Sequence, residues 1–145
     1  MLGTDGVAAD ILGAARLMAS LFRDARVDQT IFPAALILEL ATVNGAGAMG
    51  LSDEIGSLEV GKKADFVLHD TRLPEWGPVF DAVSQLAFSA PSGGVHSVWI
   101  DGVQVIDAGR ATLIDEDKLL ADARQAGAAL IARTGLPNQT PWPIL

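Results

Sequence analysis

The stretch Val95-His96-Ser97-Val98-Trp99-Ile100-Asp101-Gly102-Val103-Gln104-Val105-Ile106 decides how the rest of the chain is read. Two runs rich in β-branched residues flank Asp101-Gly102, a pair that accepts the positive φ angles of a two-residue hairpin turn. An antiparallel pair of strands is therefore expected here. Asp65 to His69 reads as a further strand, and Gly56, Gly61, Pro74, Gly77, Pro78 and Pro91 divide the region from Leu51 onward into short runs. Phe80 to Phe88 reads equally as a short helix or an extended segment. Roughly three to five short strands result, few for a closed sandwich.

Outward from this region the period changes to that of helices. Ile11, Ala15, Met18 and Phe22 form one stripe along Ala8–Arg23. Asp28 or Thr30 is expected to cap a second helix with Pro33 in its first turn. Leu36, Ile37, Leu40 and Ala41 are its apolar stripe, and Asn44-Gly45 is expected to end it. Ala46 to Met49 reads as one more helical turn, closed by Gly50. Downstream, Asp115 caps a helix from Glu116 to Thr134, with Leu119, Leu120, Ala123, Leu130 and Ile131 expected to face inward. Gly135 and Pro137 stop that helix, and the tail reads as irregular. Helices, then strands, then a helix make an α+β arrangement.

Composition narrows the function. The formal net charge is −8, and Lys62-Lys63 is the only basic doublet, so a nucleic-acid partner is not expected. Cysteine is absent, which removes disulfides and thiolate metal sites. The hydrophobic fraction is 50% and the mean hydropathy +0.34, yet no apolar run reaches the roughly 18–20 residues of a membrane span. The apolar excess belongs to a core, or to faces that expect further protein. Met1 to Gly6 has neither the basic start nor the apolar stretch of a signal peptide, and a cytoplasmic protein is the expectation.

Four blocks carry a resemblance. Gly3-Thr4-Asp5-Gly6, Ala41-Thr42-Val43-Asn44-Gly45-Ala46 with Met49-Gly50-Leu51, Ile55 to Val67, and Val95 to Val105 resemble, in order and spacing, the amidohydrolase superfamily. The likeness is to the branch of cytosine, guanine and adenosine-type deaminases and triazine chlorohydrolases. It implies an α+β fragment of a (β/α)8 barrel enzyme: residues 1–50 the end of the barrel, 51–113 the C-terminal part of a small β-sandwich, 114–145 a C-terminal helix and tail. It also implies a divalent metal, zinc or iron, held by a His-x-His pair, a third His and an Asp, whose activated water attacks a heterocyclic small-molecule substrate.

Of those ligands only Asp5 has a matching position, as a metal ligand and catalytic proton shuttle. Val7-Ala8-Ala9 replaces the small polar residues that commonly follow it in relatives. His69 and His96 read as ordinary strand residues, Lys62-Lys63 as a solvated turn, and Trp76, Trp99 and Trp142 as packing anchors. One Asp cannot hold a catalytic zinc, which takes three or more protein ligands, so this chain alone is expected to bind no metal and to be inactive. It is expected to be a C-terminal piece that forms a homo-oligomer or associates with a missing N-terminal part. The alternatives are a subunit of a split hydrolase completed by another chain, and a non-catalytic structural or binding module.

Overall fold

A computed structural model describes residue 3, residues 9–90 and residues 92–135. By its internal contacts the chain divides into Met1–Arg110 and Ala111–Leu145.

The first unit begins with helix α1 (Ile11–Arg26). Asp10 starts it by accepting a hydrogen bond from the Gly13 amide at 2.8 Å, which satisfies one of the free N–H groups of the first turn. Helix α2 (Ala34–Ala41) follows Pro33 and has no side-chain cap. The capping role expected of Asp28 is corrected: its carboxylate closes a local turn, accepting from the Thr30 amide at 2.8 Å and the Thr30 hydroxyl at 2.6 Å. An Asp two residues before a Thr makes that turn without any helix.

The expected end of α2 at Asn44-Gly45 is also corrected. Thr42, at φ −126° and ψ −97°, breaks the helix, and α3 (Val43–Ala48) runs straight through Asn44-Gly45. Gly45 keeps a right-handed conformation there, and the stop falls at Gly50, φ 72°. Ala46 is 2% exposed, so burial of this turn outweighs the low helix propensity of glycine.

Helix α4 (Ala82–Phe88) settles the ambiguity at 80–88. Asp81 accepts from the amides of Val83 and Ser84, a helix start that extended chain cannot make. The helices meet around Ala15, Ala19, Ile37 and Ala87, all fully buried, with Phe32, Ala34 and Phe88 against them. Ala19 was absent from the expected stripe, and Phe22, which was on it, is 46% exposed. Small side chains permit the close approach, and Ile37 alone among the large residues is fully buried.

The sheet has four strands in the order β1-β2-β3-β4: Phe66–His69, Val95–Ile100, Val103–Asp107 and Arg110–Ala111. β1 and β2 are antiparallel, pairing Phe66 with Trp99 and Val67 with Val98; β2 and β3 form the hairpin, pairing Ile100 with Val103. Asp101 and Gly102 stand at φ 51° and 76°, as the Asp-Gly turn demands. The Asp65 carboxylate holds this turn to the first strand by accepting from the Asp101 amide at 2.6 Å.

Between helices and sheet, residues 51–65 form turns. Gly56, at φ 95°, lies so close to α3 that an added Cβ would stand 2.8 Å from the Ala46 Cβ. Lys62 and Lys63 are in this stretch, but Lys62 is not solvated as expected: its side chain is only 16% exposed, between Glu59 at 3.2 Å and Ser57 at 2.7 Å. Lys63 pairs with Glu54 at 3.1 Å.

The second unit carries α5 (Glu116–Thr134), capped by Asp115 and closed by Gly135 in the left-handed conformation. Its bounds match the sequence reading, but the inward stripe does not. Leu119, Leu120, Leu130 and Ile131 are 51–58% exposed, and the helix has no buried residue. The periodicity fixes where these side chains sit on the helix, while burial needs something to cover them. No helix among the described residues is long and apolar enough to cross a membrane.

Two glycines separate strain from crowding. Gly50 and Gly56 both have positive φ, but only Gly56 has neighbours where a Cβ would go. Gly50→Ala should cost about 1 kcal/mol from left-handed strain, and Gly56→Ala a further ~1–3 kcal/mol from overpacking. Urea unfolding midpoints of the two variants check this; equal losses would refute the crowding at Gly56.

Candidate functional site

A groove of about 580 Å³ lies between the helices and the sheet of the first unit. Its walls are mostly apolar, with Leu12 and Leu38 from the helices, Ile55 and Leu58 from the connecting turns, and Val67 and Trp99 from the strands. Trp99 is fixed by stacking on Phe66, ring centroids 4.6 Å apart. Four polar side chains reach the groove: Thr42, Ser57, Asp65 and His69. Three are already engaged. The Thr42 hydroxyl donates to the Leu38 carbonyl at 2.6 Å, Ser57 accepts from Lys62, and Asp65 holds the hairpin turn. The fourth, His69, has its Nδ1 buried with no hydrogen-bond partner.

The two histidines do not meet at a common ligand position. His69 ends β1 and packs against Trp76, with ring centroids 5.9 Å apart. Burial pushes its pKa below the ordinary imidazole value. On β2, the His96 Nδ1 is 2.7 Å from the Ser97 hydroxyl, which in turn is 3.5 Å from Asp107. These three residue types are those of a hydrolytic triad, but their order is wrong. A triad places the imidazole between hydroxyl and carboxylate, whereas here the hydroxyl lies between the other two. Ser97 is also only 2% exposed, out of reach of a substrate carbonyl.

Some charged groups elsewhere are tied up in local pairs. Arg72 grips Asp70 through Nε at 2.9 Å and Nη2 at 2.8 Å, and these hydrogen bonds hold the Asp70 carboxyl well below the usual carboxylate range. The Ser57 hydroxyl, followed by Lys62, lowers the pKa of Glu59. Glu54 raises that of Lys63.

Among the described residues, no group of three His, Cys, Asp or Glu side chains converges to hold a metal ion. The described residues therefore do not build a zinc centre, because zinc needs at least three such donors within about 2.3 Å. Asp5, the one residue singled out by the sequence as ligand and proton shuttle, lies outside the described residues.

Sequence reading passed over two residues that organise this unit. Arg16 donates to the carbonyls of Ala90 at 2.6 Å and Ala87 at 3.4 Å, closing the C-terminal end of α4. Arg23 donates to the carbonyls of Ile31 and Phe32, both at 2.9 Å, and its guanidinium stands 4.6 Å from the centre of the Phe88 ring. The two arginines are seven residues apart, two turns along one face of α1. That spacing was visible beside the apolar stripe.

A helical layer with an antiparallel sheet defines the class as α+β, and the comparisons with known proteins make it specific. The model of the amidohydrolase family matches residues 1–105, and the chain belongs to that family. It is 40% identical to a 5′-deoxyadenosine deaminase of Methanosarcina acetivorans over 91% of this chain and 31% of that protein. Among solved structures, it resembles a zinc-bound adenosine deaminase from Xanthomonas campestris at 36% identity and TM-score 0.81, covering 85% of this chain and 28% of that one. It also resembles the zinc complex of an atrazine chlorohydrolase from Arthrobacter aurescens at 26% identity and TM-score 0.72, covering 79% and 25%. The chain thus spans about a third or less of the length of these relatives.

Arg16→Met keeps the apolar stem but leaves two carbonyls of buried residues, Ala87 and Ala90, without their donor. An unsatisfied buried acceptor costs about 1–3 kcal/mol, so the variant should unfold at a clearly lower urea concentration, and Arg16→Lys should recover part of the loss. An unchanged midpoint in Arg16→Met would show that water replaces the guanidinium without cost.

Proposed function

We propose that this chain is the C-terminal portion of a metal-dependent amidohydrolase, and that the complete enzyme opens a C–N or C–Cl bond on a heterocyclic ring. The single observation that carries this is the ratio of coverages: 91% of this chain aligns with 31% of a 5′-deoxyadenosine deaminase. In this reading residues 1–50 close the (β/α)8 barrel, 51–113 belong to the small β-sandwich, and 114–145 are a terminal helix and tail. The adenosine-type relatives favour deamination of an adenosine-like ring, and the chlorohydrolase keeps dechlorination as the second reading.

In the complete enzyme Asp5 serves as a metal ligand and proton shuttle, and the histidine ligands come from residues outside this sequence. Zinc in both solved relatives supports a divalent metal for the whole protein. The chain alone is then inactive, whether the histidines belong to the same polypeptide or to a second subunit of a split hydrolase. Elemental analysis after incubation with zinc and desalting should give close to zero zinc per chain, and no ammonia should be released from 5′-deoxyadenosine. Stoichiometric zinc with ammonia release would overturn this reading and mean that these 145 residues complete a site by themselves.

The exposed apolar side chains support the further proposal that the isolated chain associates, with itself or with the remainder of the enzyme. Leu58, Val60, Leu113 and Ile114 are 56–108% exposed, beside the stripe on α5. Exposed apolar surface on this scale favours association. Sedimentation velocity should find dimers or larger species; a monomer at micromolar concentration that binds no hydrophobic dye would refute it.

A further inference from the structure

The His69–Trp76 contact joins a half-buried imidazole to a buried indole, each with an unmet polar need. Trp76 is 5% exposed, and its indole Nε1, a donor only, has no acceptor. The His69 Nδ1 beside it is equally buried and unpartnered. Trp76 ends a 3-10 turn, Pro74–Trp76, held by the Trp76 amide on Leu73 at 2.9 Å, the Gly77 amide on Pro74 at 3.1 Å, and the Gln85 side-chain amide on the Glu75 carbonyl. So small a set of bonds opposes a movement that would hydrate both ring nitrogens at once. Opening forfeits the burial of the indole, and hydration of both ring nitrogens offsets part of that cost.

We infer that His69 and the Pro74–Trp76 turn form an acid-released latch: protonation of the imidazole drives Trp76 out of its pocket and off the end of β1. With the latch closed, a proton on Nδ1 would add a cationic N–H at an atom that is closed to solvent and faces no acceptor. The titratable and charged groups on the neighbouring segments are Asp65 just before β1, which accepts from the Asp101 amide, Asp70 and Arg72 just beyond β1, Glu75 in the turn and His96 on β2. Asp70 is committed to Arg72 and His96 to Ser97, and burial alone moves the His69 pKa, downward from 6.5. The sign follows. The open form takes up the proton near the ordinary imidazole pKa, the closed form only at lower pH. The closed form is therefore fully favoured above about pH 6.5 and loses its advantage as the pH falls toward the lowered value.

The test uses Trp76 as its own reporter, in the full chain carrying Trp99→Phe and Trp142→Phe. Between pH 8 and 5 its emission should shift reversibly to the red with a midpoint below 6.5, while the far-ultraviolet ellipticity stays constant. His69→Gln should abolish the shift, and His96→Gln should leave it in place. An emission that does not change with pH, a shift that survives His69→Gln, or a parallel loss of ellipticity each overturns the latch. Should His69→Gln fail to fold, the NMR titration of His69 in the unaltered chain decides: a pKa at or above 6.5 overturns the proposal, and a lowered pKa that coincides with the emission change upholds it.

Discussion

The first unit depends on how closely three helices approach one another. Alanine at positions 15, 19 and 87 removes the bulk that would hold α1, α2 and α4 apart, and Ile37 fills the space that remains. A core this small gives limited hydrophobic stabilisation, since one fully buried isoleucine contributes about 1.5–3 kcal/mol. Directional bonds reinforce it. Arg16 and Arg23 reach from one face of α1 to carbonyls at the end of α4 and before α2, joining segments that the apolar contacts alone hold loosely.

The sheet follows a different logic. Its register is set by the Asp101-Gly102 turn and anchored to β1 by the Asp65 carboxylate. Side chains on β1 to β3 remain partly open: Val67, Leu68, Ile100 and Val103 are 47–54% exposed. An apolar groove lies between this sheet and the helices, and three of its four polar residues are occupied in holding backbone or neighbouring side chains. Such a groove has the character of a packing surface. It lacks the converging donors and acceptors that orient a substrate.

Membership of the amidohydrolase family is consistent with this picture and explains the apolar composition. The chain spans about 31% of a related deaminase, and in the proposed reading its exposed apolar side chains would be covered in the complete enzyme. Leu119, Leu120, Leu130 and Ile131 have helical spacing appropriate to a buried face yet stand half exposed. Such a pattern suits a contact, and a pattern by itself supplies no partner.

Local chemistry was legible wherever a short-range rule dominates. The Asp101-Gly102 hairpin, the Asp115 cap, the Gly135 stop and the strand at 66–69 could all be read from neighbouring residues, because turn conformation and capping depend on only a few adjacent groups. The four family blocks were legible for a related reason, since their order and spacing survive without coordinates. Packing in three dimensions decided the rest. Burial of Ala46 against Gly56 carries α3 through Asn44-Gly45, and Glu59 and Ser57 cover Lys62. The mutual packing of His69 and Trp76 leaves one ring nitrogen of the imidazole and the indole nitrogen buried without a partner. None of these could be read from the sequence, because each depends on how turns and elements of the chain come together in three dimensions.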